Sequence, residues 1–315
     1  MKNTIRTAVL SLALAMASAS AGIAQTAVSV AADWSPFMTA ETVNVQAGLN
    51  SDVQFVDIRS QKYVRKGVVP GAVWLPFSQW RGPSDRPGQM QTEDEIATFI
   101  GDAGLRLDQP IVVYNHSGKT VQSGRAAIVY WMLKTAGAED IAIMNGGFKA
   151  WRAAGLPEAE EPFVAQPIIT NVSYSRDWWA DPLDIFAVTT GQHDGAILDA
   201  RLDGQVRKSM ETGKPIMSMP MAQYMPASFF MRHLSADSLT TPAKSEFRAE
   251  LEARGIDLGT GMLISVCQTG ELSALSWFYA SEIVGIDNVR YYPDALRGWE
   301  GDGGLMFGLR ASLEN

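Results

Sequence analysis

Apolar and polar positions along this chain alternate between short β-branched runs and longer amphipathic stretches, and the same order of patterns occurs twice. The first pass opens on Val53-Gln54-Phe55-Val56-Asp57-Ile58-Arg59, the second on Ala196-Ile197-Leu198-Asp199-Ala200-Arg201. Helical patterns follow from Glu93 to Gly104 and from Ser245 to Gly255. Each leads through a polar turn into a short apolar run, Ile111-Val112-Val113-Tyr114 or Leu263-Ile264-Ser265-Val266, which reads as a buried strand. Both runs break at a polar loop with glycine three residues in, Asn115-His116-Ser117-Gly118 and Cys267-Gln268-Thr269-Gly270. A second helix is expected from Gly124 to Thr135 and from Leu272 to Val284. A further strand follows at Asp140 to Met144 and at Asn288 to Tyr292. Each pass then closes on a tryptophan, Trp151 or Trp299.

Strands alternating with helices predict an α/β protein of two tandem domains, each a parallel sheet flanked by helices on both faces. The expected boundaries are 33–157 and 182–315. The segment 158–181 between them, punctuated by proline and without sustained periodicity, reads as a linker that wraps across a domain surface. A length of 315 residues suits two domains.

The N-terminus changes the picture of where the chain works. Lys2 and Arg6 precede an apolar stretch from Ala8 to Ala19, with small residues Gly22 and Ala24 beyond it. Residues 1–24 therefore read as a signal peptide, too short for a comfortable membrane span, and the periplasm is the expected destination. No span is expected once the leader is removed. A net charge of −8 argues against nucleic acid or anionic lipid as the main partner.

In an oxidising compartment cysteines usually come in pairs, and this chain has one, Cys267. Two readings compete on that count: a nucleophile, or a buried thiol acting as a small hydrophobe. The position favours the first. A strand feeding a helix through a glycine-containing loop aims backbone N–H groups and the positive end of the helix dipole at one spot. That environment favours a thiolate, the nucleophilic form of cysteine. The candidate loop is Cys267, Gln268, Thr269, Gly270, Glu271, Leu272 and Ser273, with Gly270 allowing the tight turn and Ser273 read equally as a donor to the sulfur or as a plain cap or helix-surface residue.

The segment Val56 to Pro76 contains Asp57-x-Arg59, Tyr63, Gly67, Pro70-Gly71-Ala72 and Pro76, and resembles the opening signature of rhodanese domains. Asn145-Gly146-Gly147-Phe148-x-x-Trp151 is similar to the closing motif of that family, and Cys267-x-x-Gly270 to its active loop. The resemblance covers nearly all of the chain after the leader and points to the tandem thiosulfate and 3-mercaptopyruvate sulfurtransferases. It implies an inactive first domain, in keeping with Asn115 at the place of Cys267. It also implies a cysteine that accepts sulfur as a persulfide and passes it on without a cofactor. The expected partners are a small sulfur donor and a thiol or cyanide-like acceptor, a redox protein among the candidates. Arg201 and Arg207 are the candidate substrate-binding residues. Gln205 stands where the tandem enzymes carry an active-site arginine, and Glu271 puts negative charge where family loops are often basic. A buried ion pair with Asp199 is the competing account of Arg201, since Asp57 and Arg59 repeat it in the half without a thiol.

Other motifs fail. Gly118-Lys119-Thr120 lacks the earlier glycine of a phosphate loop, because position 113 is Val. A cysteine phosphatase on this fold needs arginine at position 273, which is Ser. His116, His193 and His233 lie far apart and lack metal-ligand spacing. The methionines from Met217 to Met231 read as packing. Two alternatives to the enzyme remain: a sulfur-carrier module with little turnover, and a thiol hydrolase with histidine near Cys267.

Overall fold

A computed structural model describes residues 34–83, 85–205, 219–234, 241–256, 259 and 261–301. Two all-parallel sheets organise them. In the first half, β1 (Phe37–Met38), β2 (Gln54–Asp57), β3 (Ala72–Trp74), β4 (Ile111–Tyr114) and β5 (Ile141–Met144) run in the order β1-β5-β4-β2-β3. In the second, β6 (Gly195–Asp199), β7 (Gln223–Tyr224), β8 (Met262–Val266) and β9 (Val289–Tyr291) run in the order β7-β6-β8-β9. The second order repeats the first, and the isolated parallel bridge from Trp179 to Tyr291 stands where β1 would be.

Strands β4 and β8 are buried along their whole length, as expected of interior parallel strands. Asp57 lies opposite Tyr114 in the register, and Asp199 opposite Val266. Each aspartate is therefore beside the last strand residue before a loop. Asp57 receives the Arg59 guanidinium and the Tyr114 hydroxyl, and Asp199 receives Arg201 in the same geometry.

The first half carries α1 (Ala40–Leu49), α2 (Gln61–Val64), α3 (Glu93–Asp102), α4 (Thr120–Thr135) and α5 (Gly147–Ala153). The second carries α6 (Pro182–Thr189), α7 (Ala227–His233), α8 (Thr241–Ala253), α9 (Glu271–Phe278) and α10 (Ala295–Gly301). Helix α4 begins four residues before the sequence pattern placed it, at Thr120. Helix α9 continues into a π-helical turn, Tyr279–Val284, that ends at Gly285 with φ of 72°.

The two halves share one apolar core. Trp131 and Tyr130 of α4 pack with Trp277 and Phe278 of α9, Tyr130 meeting Phe278 edge-on at 5.0 Å. Trp131 meets Tyr291 at 4.9 Å. Each large side chain so buried contributes about 1.5–3 kcal/mol. Residues 158–181 bind along the first half: Phe163 N–H donates to Ala72, Ile168 N–H to Gly101, and Ser175 N–H to Thr135. No described helix is long and apolar enough to cross a membrane.

Candidate active site

Strand β8 ends at Val266, and the chain turns through Cys267, Gln268 and Thr269 to Gly270, whose φ of 102° caps α9. That left-handed turn is open to glycine and strained for other residues. It aims the Gly270 N–H at the Cys267 sulfur, 3.2 Å away. The Ser273 hydroxyl lies 3.3 Å from the same sulfur and 3.1 Å from the Gly270 carbonyl. Ser273 is fixed in turn by the Ser265 hydroxyl, which donates to its carbonyl at 2.9 Å. From the closing motif, Leu296 N–H donates to the Cys267 carbonyl and Arg297 N–H to that of Gln268. The loop is thus held from both ends, with the sulfur over the start of a helix.

Cys267 is only 1% exposed and belongs to the shared core. Its polar neighbours in sequence suggest an accessible loop; the first half of the chain covers it. Arg81, just after the 3₁₀ turn Phe77–Trp80, donates through Nη2 to the Thr269 carbonyl at 2.6 Å. Gly88 lies so close to Pro293 that a Cβ there would stand 1.9 Å from its carbonyl oxygen. Beneath the loop is the Tyr291 hydroxyl, fully buried and without a well-formed hydrogen bond. Burial holds that phenol well above its usual range, against the influence of Arg81, with Cys267 and Glu271 acting in the same direction as burial. Tyr291 is therefore a neutral donor at any physiological pH. A groove of about 800 Å³ between Trp74, Phe99 and Phe163 lies between the first half and the segment that follows it, and its lining holds no cysteine or histidine.

A family model described as a rhodanese-like domain matches residues 42–154. The thiosulfate sulfurtransferase of Bos taurus is 26% identical over 236 residues, covering 73% of this chain and 76% of its own. That of Cricetulus griseus is 24% identical over 245 residues, covering 76% and 80%. Residues 42–154 are a rhodanese-like domain, and the chain is similar to sulfurtransferases over most of its length. Among solved structures, the 3-mercaptopyruvate enzyme SseA of Escherichia coli shares the fold at a TM-score of 0.67 and 20% identity, over 83% of this chain and 98% of that one. The enzyme EanB, seen with ergothioneine linked to a persulfide cysteine, shares it at 0.67 and 17%, over 85% and 68%.

The matched rhodanese-like domain is the half without a thiol, and its loop shows why the two halves differ. Asn115 Oδ1 accepts the His116 N–H at 2.8 Å, and Gln122 Oε1 accepts the Ser117 N–H at 2.8 Å. Side-chain oxygens satisfy this loop from within, where the second half directs an N–H at sulfur. His116 stacks on Tyr63 with ring centroids 3.9 Å apart, which accounts for it as a packed loop residue of the first half.

Of the other residues singled out in the sequence, Thr269 and Glu271 pair with each other, hydroxyl to carboxylate at 2.7 Å. Glu271 is thus tied to the loop and half-buried. Leu272 and Ser273 are buried in the first turn of α9, and Gln268 is half-buried in the loop. Arg201 is buried, with Nε and Nη2 engaged by Asp199, and no described contact joins it to Cys267. Its arrangement duplicates Arg59 and Asp57, which favours the structural account of this pair. Gln205 accepts from the Leu202 N–H. Residues 1–33 and Arg207 lie outside the described residues, as do the side chains of Arg232 and His233. Arg81 and Tyr291, whose side chains reach the loop from outside it, carry no signature in the sequence.

Proposed function

We propose that this sulfurtransferase takes a sulfane sulfur from thiosulfate or a mercapto acid such as 3-mercaptopyruvate onto Cys267 as a persulfide. It then hands the sulfur to a thiophilic acceptor, a thiol or cyanide-like anion or the dithiol of a redox protein. The observation that carries this is the Cys267 sulfur at the end of β8, receiving the Gly270 N–H and Ser273 hydroxyl. Those donors stabilise the anionic sulfur of the thiolate and of the persulfide, and covalent capture splits the transfer into two displacements. The leader-like N-terminus supports the periplasm as the site of action, which cell fractionation of the full-length protein tests.

Wild type and Cys267→Ala are incubated with thiosulfate or 3-mercaptopyruvate and then with cyanide or a dithiol, and thiocyanate or sulfide is measured. Turnover that disappears with the thiol is the expected result. Absence of sulfur uptake from every donor would sink the reading. A second reading, a sulfur carrier with little turnover, is favoured by one observation, the near-complete burial of Cys267. Persulfide on Cys267 by mass spectrometry, without product release, would select it.

A further inference from the structure

The donors in the proposed reaction are anions, yet the loop supplies Gln268, Thr269 and the acidic Glu271. Arg201, the cation that the second half places at the end of β6, is engaged by Asp199. Positive charge reaches the loop from the other half of the chain. Besides its bond to Thr269, Arg81 places Nη1 over Gly270, 3.2 Å from where a Cβ would stand. A guanidinium has five N–H donors in a planar fork, so one carbonyl leaves most of them available. Arg81 pairs with no described carboxylate; its other neighbours are the Tyr291 hydroxyl and the Phe77 ring, the latter at 5.8 Å. Arg125, next to Gly124 on α4, approaches the same ring at 5.1 Å and has a buried Nε without a partner.

A second observation points to the same place. The Tyr291 hydroxyl is fully buried, has Arg81 beside it but no group among the described residues that accepts its proton, and lies 2.5 Å from that same Cβ position at Gly270. A buried hydroxyl left without an acceptor is destabilising, and buried polar groups are nearly always satisfied. A guanidinium and a buried hydroxyl without an acceptor converge on one glycine, whose own N–H points at the Cys267 sulfur.

We propose that Arg81 and Tyr291 form the donor-binding corner of this site, holding the anionic group of the sulfur donor, so that the half without a cysteine completes the active site of the half that has one. This deepens the sulfur-transfer reading and rests on it. With thiosulfate, the Cys267 thiolate attacks the outer sulfur. A new S–S bond forms as the S–S bond of the donor breaks, and sulfite leaves with the electron pair of that bond. Negative charge gathers on the departing sulfite, where fixed donors act most strongly.

The test follows persulfide formation on Cys267 by intact mass over a range of thiosulfate concentrations, alongside alkylation of the same thiol by iodoacetamide, which is uncharged. Arg81→Gln is expected to raise the half-saturating thiosulfate concentration about ten- to hundred-fold, the worth of a charge-assisted hydrogen bond. Alkylation should be unchanged, and Arg81→Lys should restore part of the affinity. Tyr291→Phe, which removes one oxygen, should give a smaller rise and carries the test if Arg81→Gln fails to fold. Equal loading by wild type, Arg81→Gln and Tyr291→Phe would overturn this inference and leave sulfur transfer standing. Equal slowing toward thiosulfate and iodoacetamide would also overturn it, because Arg81 would then only position the loop. A wild type that takes sulfur from no donor overturns the parent reading instead.

Discussion

Gly124 of α4 presses its α carbon against the backbone of Glu271, so closely that a Cβ would stand 2.2 Å from the Glu271 carbonyl oxygen. A residue of the first half thus sets the position of the first turn of α9, directly after the reactive loop. Gly124→Ala is expected to push the helices apart and cost roughly 1–3 kcal/mol, the usual range for overpacking. Persulfide formation should fall with stability although no atom of the loop changes. Denaturant midpoints and loading rates measured on the same samples check this; a variant as stable and as active as wild type would show that the helices can separate freely.

Ser273 donates to the Cys267 sulfur and is buried. Ser273→Ala removes one of the two donors at sulfur and leaves Gly270 N–H in place. The expected loss is about 1 kcal/mol, or roughly five- to ten-fold in the rate of persulfide formation. Single-turnover loading measures it, with Ser273→Thr as the variant that keeps the hydroxyl.

Glu282, in the π-helical turn, accepts from the Tyr130 hydroxyl at 2.7 Å and from Lys134 Nζ at 2.9 Å, both on α4. Burial and the Glu282 charge together keep the Tyr130 phenol protonated far above its ordinary range. Glu282→Ala leaves that hydroxyl without its acceptor and should destabilise the whole chain by roughly 1–3 kcal/mol. The urea midpoint reports it, and a single cooperative transition is expected because the two halves share a core.

His116 supplies a pH dependence. Burial, followed by the charge of Arg59, holds its imidazole below the usual value of 6.5. As pH falls, the unfolded chain takes up this proton first, so stability declines through the unfolded value and stops declining once the folded imidazole is protonated. Melting temperature should therefore drop between pH 7 and pH 5 by more in wild type than in His116→Gln. The difference will be small because the ring is partly exposed, and identical slopes would remove His116 from the account.

What was legible in the sequence was local. The paired strand–loop–helix units announce themselves through runs such as Ile111–Tyr114 and Leu263–Val266, because a strand buried on both faces is mostly apolar. The thiol was legible because glycine three residues later permits the turn that caps α9. Arg81 was not. Trp80-Arg81-Gly82-Pro83 reads as an ordinary turn, and the partner of Arg81 lies 188 residues away. Tyr291 was hidden for a related reason: a tyrosine in a short apolar strand reads as core, and only the fold shows that its oxygen ends beneath Gly270. The two-residue strand Phe37–Met38 is too short to show any period at all.

The apolar core that runs unbroken from Trp131 to Trp277 has a consequence for how this protein can vary. A chain whose halves each kept a private interior could exchange one half for another and keep its chemistry. Here the interior of the half without a thiol is continuous with the core that holds Cys267. Substitutions far from Cys267 in sequence, in Gly124 or Trp131 as much as in the loop, will register in assays as altered reactivity. For this molecule, the inheritance of activity and the inheritance of shape are one trait carried by both copies of the repeat.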